Sequence, residues 1–449
     1  MSEKIMLISP YMEDSSENIP IYNRIWPPLD LANCAALLEE NGFIAEILDA
    51  NAERLSNKDI CKKAKEFNKI FITTSTIDRW QCPHLNLTPV LKLIKEMRKN
   101  KIAFHIIGTH GSVRPKEILK LTGTRSVLRG EPELTVLDIC KRKGLSGIKG
   151  ITYRKGNKII SNPDRPLLGM DELPMPAFHL LPIKKYFYEI LGGNFMLFEG
   201  SRGCPFSCIY CLKKMYGFGY RKKSPEKLIQ EVEHAISLGV KTAYFIDLEF
   251  NINRQLVEKL CDFLIGKQYD FKWTCQTRFD TIDLSMLKKM KKAGCKIIHF
   301  GIETGSPKIM QTIDKKITID CIRNGMKLVK KSGIKSVCFF MFGIPGETKE
   351  DMEMTIKLAK ELNPDYVSFH IATPYPGTKL YETVKNELGD DLFPSAYGNE
   401  DELKKMVNKA FISFYLRPSY LLSRLRQGEI KLLFKQVMLF FKYLKRKKK

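Results

Sequence analysis

Ser201-Arg202-Gly203-Cys204-Pro205-Phe206-Ser207-Cys208-Ile209-Tyr210-Cys211 sets three cysteines at CxxxCxxC spacing. The stretch follows a strand-like apolar run, 194–199, and precedes a helix expected to start near Ser224. Three thiolates on one tight loop can hold three irons of a cubane [4Fe–4S] cluster, leaving the fourth iron open to a small molecule. Clusters built only for electron transfer take four cysteines, so an open iron points to chemistry at the metal. Two other readings of Cys204, Cys208 and Cys211 stay open on spacing alone. They are three incidental thiols, or zinc completed by a distant histidine. Structural zinc usually pairs CxxC with a second close ligand pair, and the sequence shows none.

The stretch resembles the signature of the radical S-adenosylmethionine enzymes, CxxxCxΦC with an aromatic at Φ, here Tyr210. The resemblance implies that the amino and carboxylate groups of S-adenosylmethionine chelate the open iron. It implies further that a cluster electron breaks a C–S bond and releases a 5′-deoxyadenosyl radical.

A chain of 449 residues is too long for one ordinary core and predicts two or three domains. Apolar content of 44% is that of a globular protein, and no 18-residue apolar run occurs. The N-terminus runs straight into a strand rather than reading as a signal peptide. Twelve cysteines without a small-scaffold pattern point to a reducing, cytoplasmic setting. Of the net charge of +24, residues 417–449 carry eleven Lys/Arg against one Glu, which is +10. Residues 430–444 hold eleven apolar residues with Lys431, Lys435 and Lys442 on roughly one helical face, and 445–449 are all basic. Such a tail predicts peripheral contact with the inner face of a membrane. Nucleic acid is not expected, because aromatics interleaved for base stacking are absent.

The first 145 residues alternate short apolar strands (4–9, 43–48, 69–74, 103–108, 126–130) with helices, one over 29–41 closed by Gly42. That pattern predicts an α/β domain with a doubly wound, Rossmann-like parallel sheet, whose ligands bind at the carboxyl strand ends. The loops to watch are 9–12, 74–76, 108–112 and 130–133. This half resembles the cobalamin-binding domain that precedes many radical S-adenosylmethionine cores. The matching pieces are Trp26-Pro27-Pro28-Leu29-Asp30-Leu31-Ala32, Gly108-Thr109-His110-Gly111-Ser112 and Gly130-Glu131-Pro132-Glu133. In that family the second piece usually reads GGPHAT, from which Thr109 and Gly111 depart. The DxHxxG motif that supplies a lower axial histidine elsewhere is absent. The resemblance implies cobalamin bound without that histidine and contacted by Gly108, Thr109 and His110.

Residues 146–190 read as a hairpin (151–154, 158–160) and a proline-rich linker. From 191 to 385 the alternation restarts, with strands at 194–199, 242–247, 271–277, 296–301, 335–342 and 366–372 and helices such as 225–238 and 349–362. Six such units predict a partial (β/α)6 TIM-type barrel with its chemistry at the C-terminal strand ends. Residues 386–449 read as a helical, basic C-terminal region.

The strand ends carry the candidates. Asp247-Leu248-Glu249 stands where the family often has two successive aspartates. Arg278 suits the carboxylate of S-adenosylmethionine, with a surface ion pair as its alternative. By resemblance Glu303 contacts ribose hydroxyls, and Gly343 and Gly346 let backbone approach the adenine. Residues 373–378 form a rigid rim. The other cysteines (Cys34, Cys61, Cys82, Cys140, Cys261, Cys275, Cys295, Cys321, Cys338) read as small buried hydrophobes. The whole resembles a cobalamin-dependent radical S-adenosylmethionine enzyme, which implies methyl transfer to an unactivated carbon of a lipid or small metabolite. It also implies a flavodoxin- or ferredoxin-type electron donor. Cyclisation or rearrangement is the alternative within the class. Methylthio transfer wants a second cysteine triad that is not seen, and the non-enzyme rival is an electron-transfer or structural iron–sulfur module.

Overall fold

The computed structural model describes residues 3–11, 25–75 and 85–426. Met12, Thr76, Cys82 and the basic tail after Arg426 lie outside the described residues.

The first sheet has seven strands: β1 (Lys4–Ser9), β2 (Ile44–Asp49), β3 (Lys69–Thr73), β4 (His105–Ile107), β5 (Ser126–Leu128), β6 (Ile151–Lys155) and β7 (Lys158–Ser161), ordered β2-β1-β3-β4-β5-β6-β7. Five consecutive residues of β1 are buried, as a strand covered on both faces requires. Ile5 and Leu7 join a core with the helix Leu29–Glu40, while Met6 and Ile8 join a second core with the helices Thr88–Lys99 and Pro115–Thr122. The Leu29–Glu40 helix is buried almost all round, because its outer side meets the second domain.

β1 to β5 pair in parallel, as the sequence predicts. The hairpin β6–β7 corrects the expected boundary at 145. It belongs to this sheet rather than to the linker, pairing antiparallel with β5 and covering an edge that would otherwise expose unpaired backbone groups.

A two-stranded hairpin, β8 (Phe187–Tyr188) with β9 (Gly192–Gly193), precedes the second sheet. Next come β10 (Phe195–Phe198), β11 (Ser201–Cys204), β12 (Gly219–Lys222), β13 (Thr242–Phe245), β14 (Lys272–Thr277), β15 (Cys295–Glu303), β16 (Lys335–Phe342) and β17 (Tyr366–Ile371). Six of them pair in parallel in the order β10-β13-β14-β15-β16-β17, the partial barrel expected. Ile190, at the tip of the β8–β9 hairpin, plugs the barrel floor against Ile297, Val337 and Tyr366. The edge strand β17 is covered by the helices Glu400–Tyr415 and Pro418–Arg426. The Tyr415 hydroxyl accepts from the Val367 N–H at 3.0 Å and donates to its carbonyl at 2.8 Å. Among the described residues no helix is long and apolar enough to cross a membrane.

Candidate active site at the barrel mouth

β11 carries the first cysteine and is held in a small antiparallel ladder with β12, Cys204 facing Gly219. Gly203 has φ +79°, and a Cβ there would lie 2.3 Å from the Gly219 carbonyl oxygen, so no side chain fits. Asp247, at the end of β13, accepts from the Gly200 N–H at 2.9 Å and from the Ser201 hydroxyl. Burial pushes its carboxyl up to about 6 against those two bonds. The rest of the loop is pinned by backbone: Ile209 donates to Ile313 at 3.1 Å, Leu380 to Ile209 at 2.9 Å, and Cys211 to Cys208 at 3.2 Å. Cys204 is buried, and Cys208 and Cys211 are half-buried. A single ion needs ligands that converge, and among the described residues no three His, Cys, Asp or Glu side chains do so. A cubane instead spreads its thiolates over separate irons.

Beside the loop, Tyr210, Glu303 and Lys315 form a triangle. Glu303 Oε1 accepts from the Tyr210 hydroxyl at 3.0 Å and from Lys315 Nζ at 2.9 Å, and Lys315 Nζ lies 3.1 Å from the Tyr210 oxygen. Glu303 sits at φ +73°, at a register shift between β15 and β16. A non-glycine residue held there stores strain of the kind that clusters at ligand sites. Lys315 is flanked by two more left-handed residues, Asp314 (φ +51°) and Lys316 (φ +55°). Burial works against its charge, yet Glu303 holds its pKa above the ordinary lysine value. Glu249 also faces this space; burial pushes it up to about 8 against the pull of Lys315 and Arg278.

Arg278 is buried and stacks on the Phe206 ring at 3.8 Å. It pairs with Asp280 through two bonds of 2.8 and 2.7 Å and donates to the Lys315 carbonyl at 2.8 Å. Its fork therefore already grips a carboxylate of this chain and braces the Lys315 loop against the cysteine loop. Gly343 (φ +93°) and Gly346 (φ +77°) lie past β16, where the Gly343 and Ile344 N–H groups donate to Glu347 at 2.6 and 3.2 Å. No described bond joins them to the Tyr210 triangle.

The first sheet meets this site directly. Gly108 (φ +111°) and Gly130 (φ +72°) end adjacent strands β4 and β5, and Ser112 joins them, its hydroxyl donating to the Gly108 carbonyl at 3.1 Å and accepting from the Gly130 N–H at 3.0 Å. His110 is fully buried, its Nδ1 2.9 Å from the Thr74 hydroxyl and its ring edge-on to Phe393. All three family-like pieces touch residues flanking the cysteines. Asp30 accepts from the Tyr216 hydroxyl at 2.8 Å, and Thr109 donates to the Met215 sulfur at 3.5 Å. Glu131 and Glu133 pair with Arg202 at 3.0 and 2.6 Å. Arg202 also pairs with Glu199 at 2.8 Å, and Arg221 with Glu131 at 2.6 Å. The Arg202 side chain is wholly enclosed.

Comparison with known proteins agrees with this geometry. The Radical SAM superfamily is matched over residues 198–359. An uncharacterized methyltransferase of Pyrococcus horikoshii is 33% identical over 93% of this chain and 94% of its own length. The chain belongs to the radical S-adenosylmethionine superfamily. It is therefore an enzyme, and a [4Fe–4S] cluster with S-adenosylmethionine is the cofactor set of its family. The anaerobic magnesium-protoporphyrin IX monomethyl ester cyclase of Cereibacter sphaeroides is 25% identical over 81% of the chain and 61% of its own length. The structure of the radical S-adenosylmethionine methyltransferase TsrM from Kitasatospora setae, with cobalamin and a [4Fe–4S] cluster bound, shares the fold at a TM-score of 0.69. That match is 16% identical and covers 86% of this chain and 75% of TsrM.

Lys315 and Arg202 escaped the sequence reading. Lys315 sits in a loop with no motif around it, while Arg202 stood in full view inside the cysteine stretch without any sign of its partners.

Proposed function

We propose that this enzyme is a cobalamin-dependent radical S-adenosylmethionine methyltransferase that acts on an unactivated carbon of a small molecule. One observation carries the reading: the three family-like pieces of the first sheet converge on the residues flanking the cysteine loop. A group on the crest of that sheet and a group at the barrel mouth would then share one space. The methyltransferase relative supports the choice of reaction.

Cys204, Cys208 and Cys211 suit the three corners of a cubane, since their loop is braced on both sides by backbone bonds. The cluster, when bound, supplies the electron that splits S-adenosylmethionine. Tyr210 and Lys315 both engage Oε1 of Glu303, which leaves Oε2 to accept from a ribose hydroxyl. Arg278 and Lys315 are the two buried cations beside the cysteine loop that would meet the carboxylate of S-adenosylmethionine, each already paired within the chain. Gly343 and Gly346 bring backbone to the rim near an adenine. The crest suits a large flat ring: Gly108 at φ +111° and Gly130 at φ +72° keep side chains off the strand ends. Thr109 and His110 flank it. Cobalamin, when bound there, supplies the methyl group. A flavodoxin- or ferredoxin-type protein would reduce the cluster, and the basic residues after Arg417 suit peripheral contact with an anionic membrane in the cytoplasm.

Anaerobically reconstituted protein with dithionite should convert S-adenosylmethionine to 5′-deoxyadenosine, and protein purified with corrinoid present should carry its absorbance. Intact S-adenosylmethionine would leave the electron-transfer module as the better description. A corrinoid-free but cleavage-competent protein would remove the cobalamin part alone.

A further inference from the structure

The barrel is hollow above its plug, and its wall says what fits. Along β14 to β17 most residues facing outward are buried, while most of the inward ones near the carboxyl ends, Met341 excepted, are not. Gln276, Gly301, Glu303, Phe339 and Ser368 are half-buried and His370 is exposed. Their positions are in register: Gly301, Phe339 and Ser368 lie side by side in one tier, and His370 pairs with Met341 in the next tier up. His370 nonetheless has a pKa lowered by the protein crowded around it, as a group lining an interior space would.

Phe339 and His370 face this space, and the buried rings of His299 and Tyr244 pack behind them. His299 lies 5.0 Å from Tyr244 and 5.7 Å from Phe339, and Phe339 lies 6.0 Å from His370, centroid to centroid. Trp26 extends the series at 6.1 Å from Tyr244. Between the rings stand neutral polar groups: the Gln276 amide, and the Ser368 hydroxyl 2.7 Å from His370 Nε2. The described charges at the rim are matched within the chain, Lys315 with Glu303. A hydrocarbon chain filling this space would strip water from the Gln276, Ser368 and His370 groups without replacing its bonds, at about 1–3 kcal/mol each. An anionic headgroup would find no unmatched cation among these wall residues.

We propose that the hollow binds an uncharged small molecule carrying an aromatic or conjugated ring, laid on Phe339 and hydrogen-bonded by the Ser368–His370 pair. This rests on the radical S-adenosylmethionine reading of the same barrel and narrows its substrate from lipid or metabolite to a polar ring compound. Ring-on-ring contact supplies area and orientation, and the hydroxyl–imidazole pair sets which edge of the ring faces the barrel mouth.

Anaerobic equilibrium dialysis of the reconstituted holoenzyme, with indole as the ring probe and decanol as the chain probe, tests this. Indole should be retained saturably and decanol should not. His370→Phe and Ser368→Leu should each weaken indole retention about tenfold, the loss of roughly one hydrogen bond, and His370→Gln should restore most of it. Retention of decanol in preference to indole, no saturable indole retention, or retention indifferent to both variants would overturn the proposal. 5′-Deoxyadenosine formation by the same wild-type preparation reports separately on the underlying reading. If it forms while indole is not held, only the ring assignment fails.

Discussion

The barrel mouth and the crest of the first sheet are built from opposite materials. At the mouth, Glu303, Lys315, Arg278 and Glu249, all buried or half-buried, crowd together with the more exposed Asp280, and Glu303, Asp314 and Lys316 are left-handed. At the crest, Gly108 to Ser112 offers hydroxyls, one imidazole and backbone, and Ser112 bonds to backbone rather than to any charge. Fixed charges are costly to bury and reward only a ligand that is itself charged, such as the zwitterion S-adenosylmethionine. Glycine turns with small neutral side chains suit a broad ring held by shape. What joins the two is Arg202, which pairs with three carboxylates, two from the crest side and one from the barrel, Glu131 being shared with Arg221.

Replacing Cys208 with Ala should break the contrast most sharply. Iron content and 5′-deoxyadenosine formation should collapse, while corrinoid absorbance stays, because the crest draws nothing from that thiol. Loss of corrinoid in the same variant would show that the two ends are one site rather than two.

Arg202→Met comes next. It takes the guanidinium from Glu133 and Glu199 in the interior, while Glu131 keeps Arg221, and removing one side of such a network typically costs about 3–5 kcal/mol. The denaturant midpoint of the apoprotein should fall accordingly. Glu131→Gln should cost less, because Arg202 keeps two carboxylates. Equal losses would mean that Arg202 acts by packing on the Tyr216 ring rather than by charge.

Lys315→Met removes a charge-assisted pair of the kind worth about 2 kcal/mol, so S-adenosylmethionine should bind some thirtyfold more weakly. Arg278→Met should also act, but through the Lys315 loop it braces. A variant set in which Arg278 governs affinity and Lys315 does not would favour Arg278, the residue expected from sequence.

Lys315 shows where sequence reading stops. The apolar runs of β1 and β3 follow from burial on both faces, and the mostly apolar run 335–342 was legible to the residue. Tyr210 and Glu303 were legible because a spacing and a strand end announce them. Lys315 was not, since its position comes from two left-handed neighbours and a 105-residue separation from Tyr210. The Gly130–Glu133 piece was recognised by its letters, yet the work of its two carboxylates became visible only with Arg202 beside them. The hairpin β6–β7 was seen as a hairpin, but which sheet it joined depends on the open edge of β5, a fact of tertiary structure.

The smallest effect tests whether the crest end of the first sheet resists charge as its composition suggests. Asp49 closes β2 with its side chain nearly all enclosed, accepting from the Asn51 and Ala52 N–H groups at 3.1 and 3.2 Å and from the Tyr186 hydroxyl at 2.8 Å. Burial raises its pKa to about 6 despite those bonds. The folded state therefore holds a proton that the unfolded chain, near the ordinary 3.8, gives up sooner. The stability linked to that proton is complete below about 3.8 and is lost as pH rises through about 6. Asp49→Asn keeps an acceptor oxygen for the two backbone bonds, turns its amide N–H to the Tyr186 oxygen and carries no charge, so it should escape the loss. Between pH 5 and 7 the wild-type unfolding free energy should drop relative to the variant by roughly 1–2 kcal/mol, read from denaturant melts at each pH. Parallel curves would mean that Asp49 stays ionised comfortably, and that the neutrality of the crest reflects the ligand it holds rather than the dielectric around it.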